Sequence, residues 1–438
     1  MNTYSEYKDS GIDWIGKIPK SWQVKKLKFN TYIKGRIGWQ ALKTDEFVDE
    51  GPYCVTGTDF KEGKINWETC YHVGEERWAM DKFIQLKEKD LVITKDGTIG
   101  KIAIVKNLNG KACLNSGVFV TRPKNDDYIT EYMYWVLNST IFTEFINFEK
   151  KGTTISHLYQ NVFENLPYPN PTIKEQEKII SFLKQKVTSL NNLIQKKKKL
   201  SNLLFEQKIG ILNRAVIQGL NKNIELKGVN YEFPSKIPKH WNIMPFRRIC
   251  NLNQGLQIAQ SQRFDITGEN RFIYITIKYL NSDLSEINSD YIENPPTSVI
   301  CKKTDVLMAR TGGTGEVVTN AEGVFHNNFF RINYDKNKIE RDYLVYYLKT
   351  DWIKKMLLLK AGVTTVPDLN HGDFLSTPVV IPPVSEQKEI VKFLDQETLQ
   401  IDKSIDKIQK EIELLEEYKD ALISEAVTGK INVSEALS

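Results

Sequence analysis

At 438 residues the chain is longer than one ordinary hydrophobic core supports, so we expect two or more domains. Its hydrophobic share of 41% and aromatic share of 11% are typical of folded proteins and exclude a largely disordered chain. The formal net charge of +5 permits binding to a polyanion without requiring it, because basic side chains can concentrate on one face.

The cysteines are scattered, odd in number and without a Cys-x-x-Cys pair, so they suggest neither a disulfide framework nor a zinc site. They are Cys54, Cys70, Cys113, Cys250 and Cys301. The first residues are polar and lack the apolar core of a signal peptide. No run of about 18 apolar residues predicts a membrane span. We therefore expect reduced thiols in a cytoplasmic protein that does not contact membranes.

The chain contains an internal duplication, visible as four blocks that recur in the same order. The matching blocks are 17–22 with 236–241, 90–97 with 305–312, 153–155 with 364–366, and 175–183 with 386–394. The offset between the copies falls from 219 to 215 to 211 residues, as two short deletions in loops of the second copy would produce. Each copy should therefore fold to the same plan.

Each copy opens with a mixed segment in which β-branched runs alternate with glycine-containing turns. Short strands are predicted at 91–94, 102–105 and 272–277. The proline clusters at 166–171 and 377–383 then end an extended segment and precede a helix. Thr172 and Ser385 are the predicted N-caps of these helices.

A long helix with heptad spacing follows each proline cluster. Its predicted seam consists of Leu183, Val187, Leu190, Ile194, Leu204 and Ile211 in the first helix and Leu394, Ile401, Ile405, Ile408, Ile412, Leu415 and Leu422 in the second. Steps of three and four residues are typical of a coiled coil. The first seam is weaker, because Lys197, Ser201 and Lys208 interrupt it. Each helix of about 45 residues would span about 60–70 Å.

Two amphipathic helices in one chain are expected to bury their seams against each other. We therefore predict two α/β (α+β) domains in tandem repeat, separated by two long helices that form an antiparallel coiled coil, with pseudo-two-fold symmetry. The predicted boundaries are 1–171 and 221–383 for the domains and 172–220 and 384–438 for the helices. The alternative is that the domains pack side by side and the helices are local.

Several motifs resemble catalytic signatures but lack a required residue. The segment 97–101 is too short for a P-loop and 310–315 lacks its lysine, so both predict turns after strands. The segment 294–297, Asn-Pro-Pro-Thr, has threonine where adenine methyltransferases place an aromatic residue against a flipped base. The five histidines (His72, His157, His240, His326 and His371) show no metal-ligand spacing. We predict no catalytic activity; the alternative is a nuclease or methyltransferase with a degenerate motif.

Loops at corresponding places in the two copies combine basic, amide and hydroxyl side chains with glycine. Arginine and lysine suit guanine edges, asparagine and glutamine suit adenine edges, and glycine allows the backbone close to phosphate. The predicted DNA contacts are Lys34, Arg36, Trp39, Gln40, Lys95, Thr98, Lys151, Thr153 and Thr154 in the first copy and Asn253, Gln254, Gln257, Gln260, Gln262, Arg263, Arg310, Thr314, Thr364 and Thr365 in the second. For any single residue, an ordinary surface loop is an equally good interpretation.

Two further features have more than one interpretation. The lysine run at 196–199 on the first long helix is either a solvated face or a contact to phosphate. The paired tryptophans, Trp22 and Trp241, are predicted to anchor the domain cores rather than to stack on bases.

The segment 10–22 resembles the opening of specificity subunits of type I restriction–modification enzymes, and so do the turn at 90–100 and the helix start at 382–390. The order of domain, helix, domain and helix is also similar, so the resemblance covers nearly the whole chain. It implies two target-recognition domains separated by antiparallel spacer helices, each domain reading half of a bipartite, asymmetric DNA site. The second copy departs from the pattern, with Arg-Thr-Gly-Gly-Thr-Gly at 310–315.

The resemblance also implies partners, namely double-stranded DNA, two methyltransferase subunits and restriction subunits. Those subunits would bind S-adenosylmethionine, ATP and Mg and would perform adenine methylation, translocation and cleavage. This chain would then hold no cofactor, no metal and no catalytic residue. The alternative outside the family is a coiled-coil adaptor whose domains bind protein rather than DNA.

Overall fold

The computed structural model describes residues 3–36, 42, 44–149, 157–231, 234–280, 290–362 and 367–433. The chain forms two compact units. Unit 1 comprises residues 1–198 and 410–438, and unit 2 comprises residues 199–409. Among the described residues, no helix is both long and apolar enough to cross a membrane.

Unit 1 contains two β-sheets, two strand pairs and a set of short helices. Its strands are β1 (Tyr7–Asp9), β2 (Lys17–Pro19), β3 (Gln23–Lys26), β4 (Thr31–Gly35), β5 (Phe47–Val55), β6 (Phe60–Lys61), β7 (Lys64–Ile65), β8 (Tyr71–Val73), β9 (Leu91–Thr94), β10 (Ile102–Ile104), β11 (Ala112–Leu114), β12 (Val118–Pro123) and β13 (Pro167–Asn170). Its short helices are α1 (Leu27–Asn30), α2 (Glu75–Ala79), α3 (Thr130–Leu137), α4 (Thr140–Glu149) and α5 (Gln160–Phe163), with 3-10 turns at Thr44–Glu46, Trp67–Thr69 and Lys82–Ile84. The sheet orders are β4-β12-β9-β10-β7-β6 and β11-β5-β8, and the pairs are β1-β2 and β13-β3.

The six-stranded sheet is buried on both faces. Leu91 and Ile93 belong to the core shared with α3, α4 and the long helices, whereas Val92 belongs to the core shared with the three-stranded sheet. Because successive side chains of a strand point to opposite faces, a strand covered on both sides needs apolar residues throughout. This is why residues 91–93 are all hydrophobic, and the strand predicted at 91–94 is confirmed.

Unit 2 repeats this plan with fewer strands. Its strands are β14 (Leu226–Gly228), β15 (Lys236–Pro238), β16 (Asn242–Pro245), β17 (Cys250–Gln254), β18 (Arg271–Ile275), β19 (Tyr291–Glu293), β20 (Ile300–Cys301), β21 (Leu307–Ala309), β22 (Val317–Val318), β23 (Gly323–Phe325), β24 (Phe329–Tyr334) and β25 (Pro378–Ile381). Its short helices are α7 (Arg341–Leu348), α8 (Asp351–Ala361) and α9 (His371–Ser376), with 3-10 turns at Phe246–Arg248, Gln260–Gln262, Ile277–Leu280 and Thr297–Val299. The sheet orders are β17-β24-β21-β22 and β19-β18-β23-β20, and the pairs are β14-β15 and β16-β25.

Two long helices run through the chain, α6 (Ile173–Gln218, 46 residues) and α10 (Val384–Val427, 44 residues). The predicted helix lengths are confirmed. Each helix contributes residues to both units, so the alternative of local helices is wrong. Two α/β domains with paired long helices confirm the predicted fold class.

The two helices begin differently. Thr172 caps α6, since its Oγ1 accepts a hydrogen bond from the Glu175 N–H (3.4 Å) and the Glu175 carboxylate accepts one from the Thr172 N–H (3.1 Å). The prediction of Ser385 as the second N-cap is wrong, because α10 begins at Val384 and the Gln387 N–H bonds to the Pro383 carbonyl. Pro383 occupies the position that matches Thr172 in the first copy, and proline has no side-chain acceptor.

A Glu-Gln pair joins the start of each long helix to its domain. The indole N–H of Trp22 donates to Glu175 (3.0 Å), and that of Trp241 donates to Glu386 (2.9 Å). Both tryptophans are fully buried, as predicted. The neighbouring glutamines, 176 and 387, are also fully buried and bond to backbone groups of the preceding domain segment. The Glu-Gln block therefore recurs because it fixes the helix to the domain.

Within each unit the two long helices pack antiparallel. In unit 1 the start of α6 shares a core with the end of α10, and in unit 2 the end of α6 shares a core with the start of α10. Lys197 and Lys208, which interrupt the predicted seam, pair with Glu411 (2.5 Å) and Asp402 (2.6 Å) of α10. All thirteen predicted seam residues are buried or partly buried. The ion pairs explain why lysine is tolerated at two seam positions.

Gly429 follows α10 and lies against the domain of unit 1. Its φ is +72°, and an added Cβ would lie 2.5 Å from the Pro19 ring and 3.0 Å from the Trp22 ring. We expect Gly429→Ala to cost about 1–2 kcal/mol from the left-handed backbone alone, and more from the clash. Urea unfolding of the full chain measures the loss. Gly210→Ala, at an open position inside α6, is the matched control and should stabilise by about 0.5–1 kcal/mol.

Candidate nucleic-acid interface

The topology of unit 1 brings two predicted contact loops to one edge of the six-stranded sheet. Strands β4 and β9 both pair antiparallel with β12, so they are parallel to each other. Gly35 and Ile93 are both in register with Phe119, and Thr94 is in register with Val118. The residues that follow β4 and β9 therefore leave the sheet side by side. We refer to this end of the sheet as the carboxyl edge of unit 1.

Unit 2 has the equivalent carboxyl edge, formed by the ends of β17 and β21, which both pair antiparallel with β24. The backbone bonds correspond one to one. Lys95 donates to the Gly117 carbonyl (2.9 Å) and accepts from the Leu158 N–H (2.7 Å), while Arg310 donates to Asn328 (2.7 Å) and accepts from Leu369 (3.0 Å). Lys95 and Arg310 are thus structurally equivalent residues.

The turns beyond these residues are confirmed as turns. Gly97 and Gly100 have φ of +65° and +89°, and Gly312 and Gly315 have φ of +75° and +87°. In both units the second glycine N–H bonds back to the last strand residue, at 3.0 Å in unit 1 and 2.9 Å in unit 2. Asn294, in the Asn-Pro-Pro-Thr segment, is also left-handed after β19, as a turn requires.

The predicted contacts of unit 1 differ in their exposure. Lys34 and Thr98 are exposed at the carboxyl edge. Lys95 is 8% exposed, with its Nζ 3.3 Å from Asp96 and 5.6 Å from the Phe119 ring centre. Arg36 is 3% exposed and donates to the Leu114 carbonyl (3.0 Å). The guanidinium of Arg36, directly after β4 of the six-stranded sheet, therefore bonds to β11 of the three-stranded sheet and is not presented at the surface.

The carboxyl edge of unit 2 is rich in amides. Gln254 donates to the Asn327 carbonyl (2.5 Å), and the Asn327 side chain donates to Gln257 (2.7 Å). Asn253 accepts from Asn333 (2.9 Å) on the sheet. The other two predicted glutamines, 260 and 262, are exposed on a 3-10 turn. Exposed amides that can both donate and accept match the pattern that an adenine edge presents.

Three further predicted contacts of unit 2 are held by internal bonds. Arg310 forms a two-point ion pair with Asp368, with Nε–Oδ1 at 2.8 Å and Nη2–Oδ2 at 2.6 Å. Arg263 bonds to Asp290 (2.9 Å) and lies over the Tyr274 ring. Thr314 is 7% exposed and donates to the carbonyls of residues 310 and 367, at 2.9 and 2.8 Å. Thr314 therefore shapes the turn rather than presenting its hydroxyl.

Several residues at these edges are not among the predicted contacts. In unit 1 they are Asp96, His157 and Tyr159; Asp96 bonds to His157, whose ring packs on the exposed Tyr159. In unit 2 they include Asp368 and Asn327. The internal repeat indicates two of them, because Leu158 and Leu369 match at the same offset of 211 residues as the Thr-Thr blocks before them. This offset aligns His157 with Asp368, next to the matching leucines.

Two of the four lysines in the run on α6 form ion pairs with α10, which neither interpretation predicted. Lys197 and Lys198 form ion pairs with α10, to Glu411 (2.5 Å) and Glu416 (3.4 Å). Lys196 and Lys199 are exposed. Half of the run thus joins the two helices, and the other half is exposed.

A cavity of about 900 Å³ lies elsewhere in unit 1, between α3, the β6–β7 turn and the long helices. Its charged lining residues are Glu62, Glu131, Glu177, Asp420, Lys64, Lys106, Lys184 and Lys419. Acidic and basic groups balance, so this surface does not favour a polyanion. The carboxyl edges remain the better candidates.

Seven predicted contacts lie outside the described residues, namely Trp39, Gln40, Lys151, Thr153, Thr154, Thr364 and Thr365. In the part of the chain that the structure describes, no group of three or more His, Cys, Asp or Glu side chains could hold a metal ion.

Comparisons with known proteins agree on one family. Residues 19–202 and 238–414 match the family model described as "Type I restriction modification DNA specificity domain". The chain is 27% identical to the type I restriction enzyme MjaVIII specificity subunit of Methanocaldococcus jannaschii, over 95% of this chain and 94% of that protein. It is 25% identical to the MjaIX specificity subunit of the same organism, over 98% of each.

Solved structures share the fold. One chain, from a study of complex assembly and conformational transition of the type I R-M system, has a TM-score of 0.74 at 17% identity, covering 94% of this chain and 99% of that one. The HsdS subunit from Thermoanaerobacter tengcongensis has a TM-score of 0.55 at 17% identity, covering 94% and 98%. At this identity the similarity shows the fold alone.

Proposed function

The chain belongs to the type I restriction–modification DNA specificity family, and from this premise we propose that it reads a bipartite, asymmetric DNA site, one half with each domain. It is a specificity subunit with two DNA-recognition domains, a non-catalytic role in its family. The observation that carries the proposal is the presence of one carboxyl edge in each unit, built on the same backbone bonds.

The side chains at the two edges support an asymmetric site. Unit 1 presents Lys34 with Thr98, and Tyr159 lies exposed nearby. Unit 2 presents amides and the Arg310–Asp368 pair. Because base edges are distinguished by their donors and acceptors, different side chains on one scaffold select different sequences. We propose that the described residues among the predicted contacts face DNA, except for the buried Arg36, Lys95 and Thr314, and that those outside the described residues do so as well.

We also propose that the long helices set the unspecified gap between the half-sites. Support comes from their continuity over 46 and 44 residues and from the buried glutamines that fix each helix start to a domain. In this proposal the recognition domains span 1–171 and 221–383, and the spacer helices span 172–220 and 384–438.

The partners follow from the family. We propose that two methyltransferase subunits and the restriction subunits assemble on this chain and supply all catalysis. Their S-adenosylmethionine, ATP and Mg would bind outside this chain. The duplicated plan of units 1 and 2 supports two equivalent docking positions for methyltransferase subunits.

Co-expression of the chain with its methyltransferase subunit, followed by mapping of adenine methylation by long-read sequencing, tests the proposal. We expect one split motif with two defined halves. Binding of the complex to a duplex with this motif should weaken steeply as salt rises, because released counterions contribute to affinity. A folded, associated complex that methylates no split motif, or whose partner binding is insensitive to salt and DNA, would favour the adaptor alternative.

A further inference from the structure

Arg310 of unit 2 is held through both its backbone and its side chain. Its backbone N–H and carbonyl are both bonded, to Asn328 and Leu369. Thr314 Oγ1 bonds to the carbonyls of Arg310 and Pro367 and so ties together the two segments that carry the Arg310–Asp368 pair. The side chains of this pair keep 26% and 49% of their surface exposed. The guanidinium is therefore fixed in direction yet open to a ligand.

The ion pair occupies only one edge of the guanidinium. Asp368 binds the edge formed by Nε and Nη2, at 2.8 and 2.6 Å. The donors of Nη1 and the second hydrogen of Nη2 form the other edge, which points away from the carboxylate. Two parallel N–H donors in this arrangement match the O6 and N7 acceptors of guanine in the major groove.

Asp368 also disfavours the competing ligand. A free arginine at this position would bind phosphate through its charge alone, without regard to sequence. The Asp368 carboxylate offsets that charge and repels a phosphate that approaches the pair. Burial, and after it the positive charge of Arg310, lowers the pKa of the neighbouring His371, which disfavours a second positive charge beside the pair. The local charge therefore favours a base edge over the DNA backbone.

We propose that Arg310 reads a guanine in the half-site of unit 2 and that Asp368 is the positioning residue that orients it. The inference rests on the proposed function and names one base of its target. In unit 1 the equivalent position is occupied by Lys95, which is 8% exposed and points to Asp96 and the Phe119 ring. This position of unit 1 therefore offers no arginine oriented by an aspartate. Guanine selection by this position is therefore a property of unit 2 alone.

The test uses the full chain in complex with its methyltransferase subunit. The split motif is mapped for the native complex, and methylation rates are then measured on duplexes that carry each of the four base pairs at every position of both halves. The variants are Arg310→Gln, Arg310→Lys, Asp368→Asn and Asp368→Glu. Arg341→Gln is the matched control, since Arg341 also pairs with an aspartate (Asp342, 2.5 Å) but is the first residue of α7 and donates to the Lys303 carbonyl, in the segment that leads into β21 rather than the one that leaves it.

We expect Arg310→Gln to reduce discrimination at one G·C pair of one half-site by about tenfold or more, since one good bidentate contact supplies that much. Arg310→Lys should lose this discrimination as well, because lysine keeps the positive charge without the two parallel N–H donors of the guanidinium. Asp368→Asn should reduce discrimination at the same pair by a smaller factor than Arg310→Gln does. Asp368→Glu keeps a carboxylate, so it should reduce discrimination less than Asp368→Asn. The other half-site and the gap should not change, and Arg341→Gln should behave as the native complex.

Three results would overturn the assignment. One is a native motif in which neither half contains a G·C pair. Another is an Arg310 variant that lowers methylation equally at all base pairs, which indicates a phosphate contact or a structural role. The third is an Asp368→Asn variant with unchanged discrimination while Arg310→Gln has lost it, which removes the positioning role. A native complex with no split motif at all contradicts the proposed function itself and is distinguishable from all three.

Discussion

Replacing Trp241 by alanine should lower the free energy of unfolding of unit 2 by about 3–5 kcal/mol, the usual cost of emptying a large buried aromatic site. Trp241 is fully buried, donates to Glu386 and lies 3.0 Å from the position of a Cβ on Gly219. The variant therefore loses core packing, the hydrogen bond to Glu386 and the indole ring that lies against Gly219, directly after α6. Hydrogen–deuterium exchange of the full chain should place the loss in unit 2.

The equivalent change in unit 1 is the natural comparison. Trp22→Ala should destabilise unit 1 by a similar amount, because Trp22 makes the same bond to Glu175 and is equally buried. Trp241→Phe keeps most of the ring and removes the N–H donor, so it should cost less than Trp241→Ala. Protection lost equally from both units by either single variant would show that the two tryptophans do not anchor separate cores.

Lengthening both long helices by one heptad should widen the unspecified gap by about three base pairs and leave both half-sites unchanged. Seven residues add about 10.5 Å of helix, and base pairs are stacked about 3.4 Å apart. A heptad keeps the seam nearly in phase, whereas four residues would rotate it further. Duplicating 188–194 in α6 and 412–418 in α10 lengthens segments that face each other, as the Lys197–Glu411 pair indicates. Methylation mapping of the lengthened complex measures the gap.

The control lengthens α6 alone. This breaks the alignment of Lys197 and its neighbours with α10 and should abolish methylation of every split motif. A lengthened pair of helices that still selects the original gap would show that the helices do not set the spacing. An altered half-site would show that they influence base recognition.

Much of the fold was predictable because it depends on local patterns. The strand at 91–94, the long helices, the Thr172 cap and the burial of Trp22 and Trp241 all follow from short-range sequence and from its repetition. The site was less predictable, because its partners are distant in sequence. Arg36 is buried by Leu114 and Cys113, 78 and 77 residues away, and Arg310 meets a carboxylate 58 residues away.

Two local features of the long helices depend on more than residue type. Lys197 and Lys208 interrupt the apolar seam of α6 by residue type, yet their acidic partners lie on α10, where the pattern of α6 alone does not reveal them. Serine is a good N-cap by residue type, which favours Ser385, whereas the duplication aligns Thr172 with Pro383, the residue directly before α10. For this helix start, the alignment of the two repeats predicts the structure better than residue preference does.

The division of the chain into units has a consequence for synthesis on the ribosome. Unit 2 is one continuous stretch, 199–409, whereas unit 1 joins 1–198 to 410–438. The hydroxyls of Tyr7 and Tyr132 bond to the carbonyls of Gly429 (3.1 Å) and Val427 (3.3 Å), across 422 and 295 residues of sequence. The core of unit 1 therefore cannot close until residues 410–438 have been translated, although its first part is made before unit 2. Unit 2 can complete its fold earlier, because it ends at residue 409. A nascent chain stalled near its end should show protease-resistant unit 2 beside a unit 1 that is still open to cleavage.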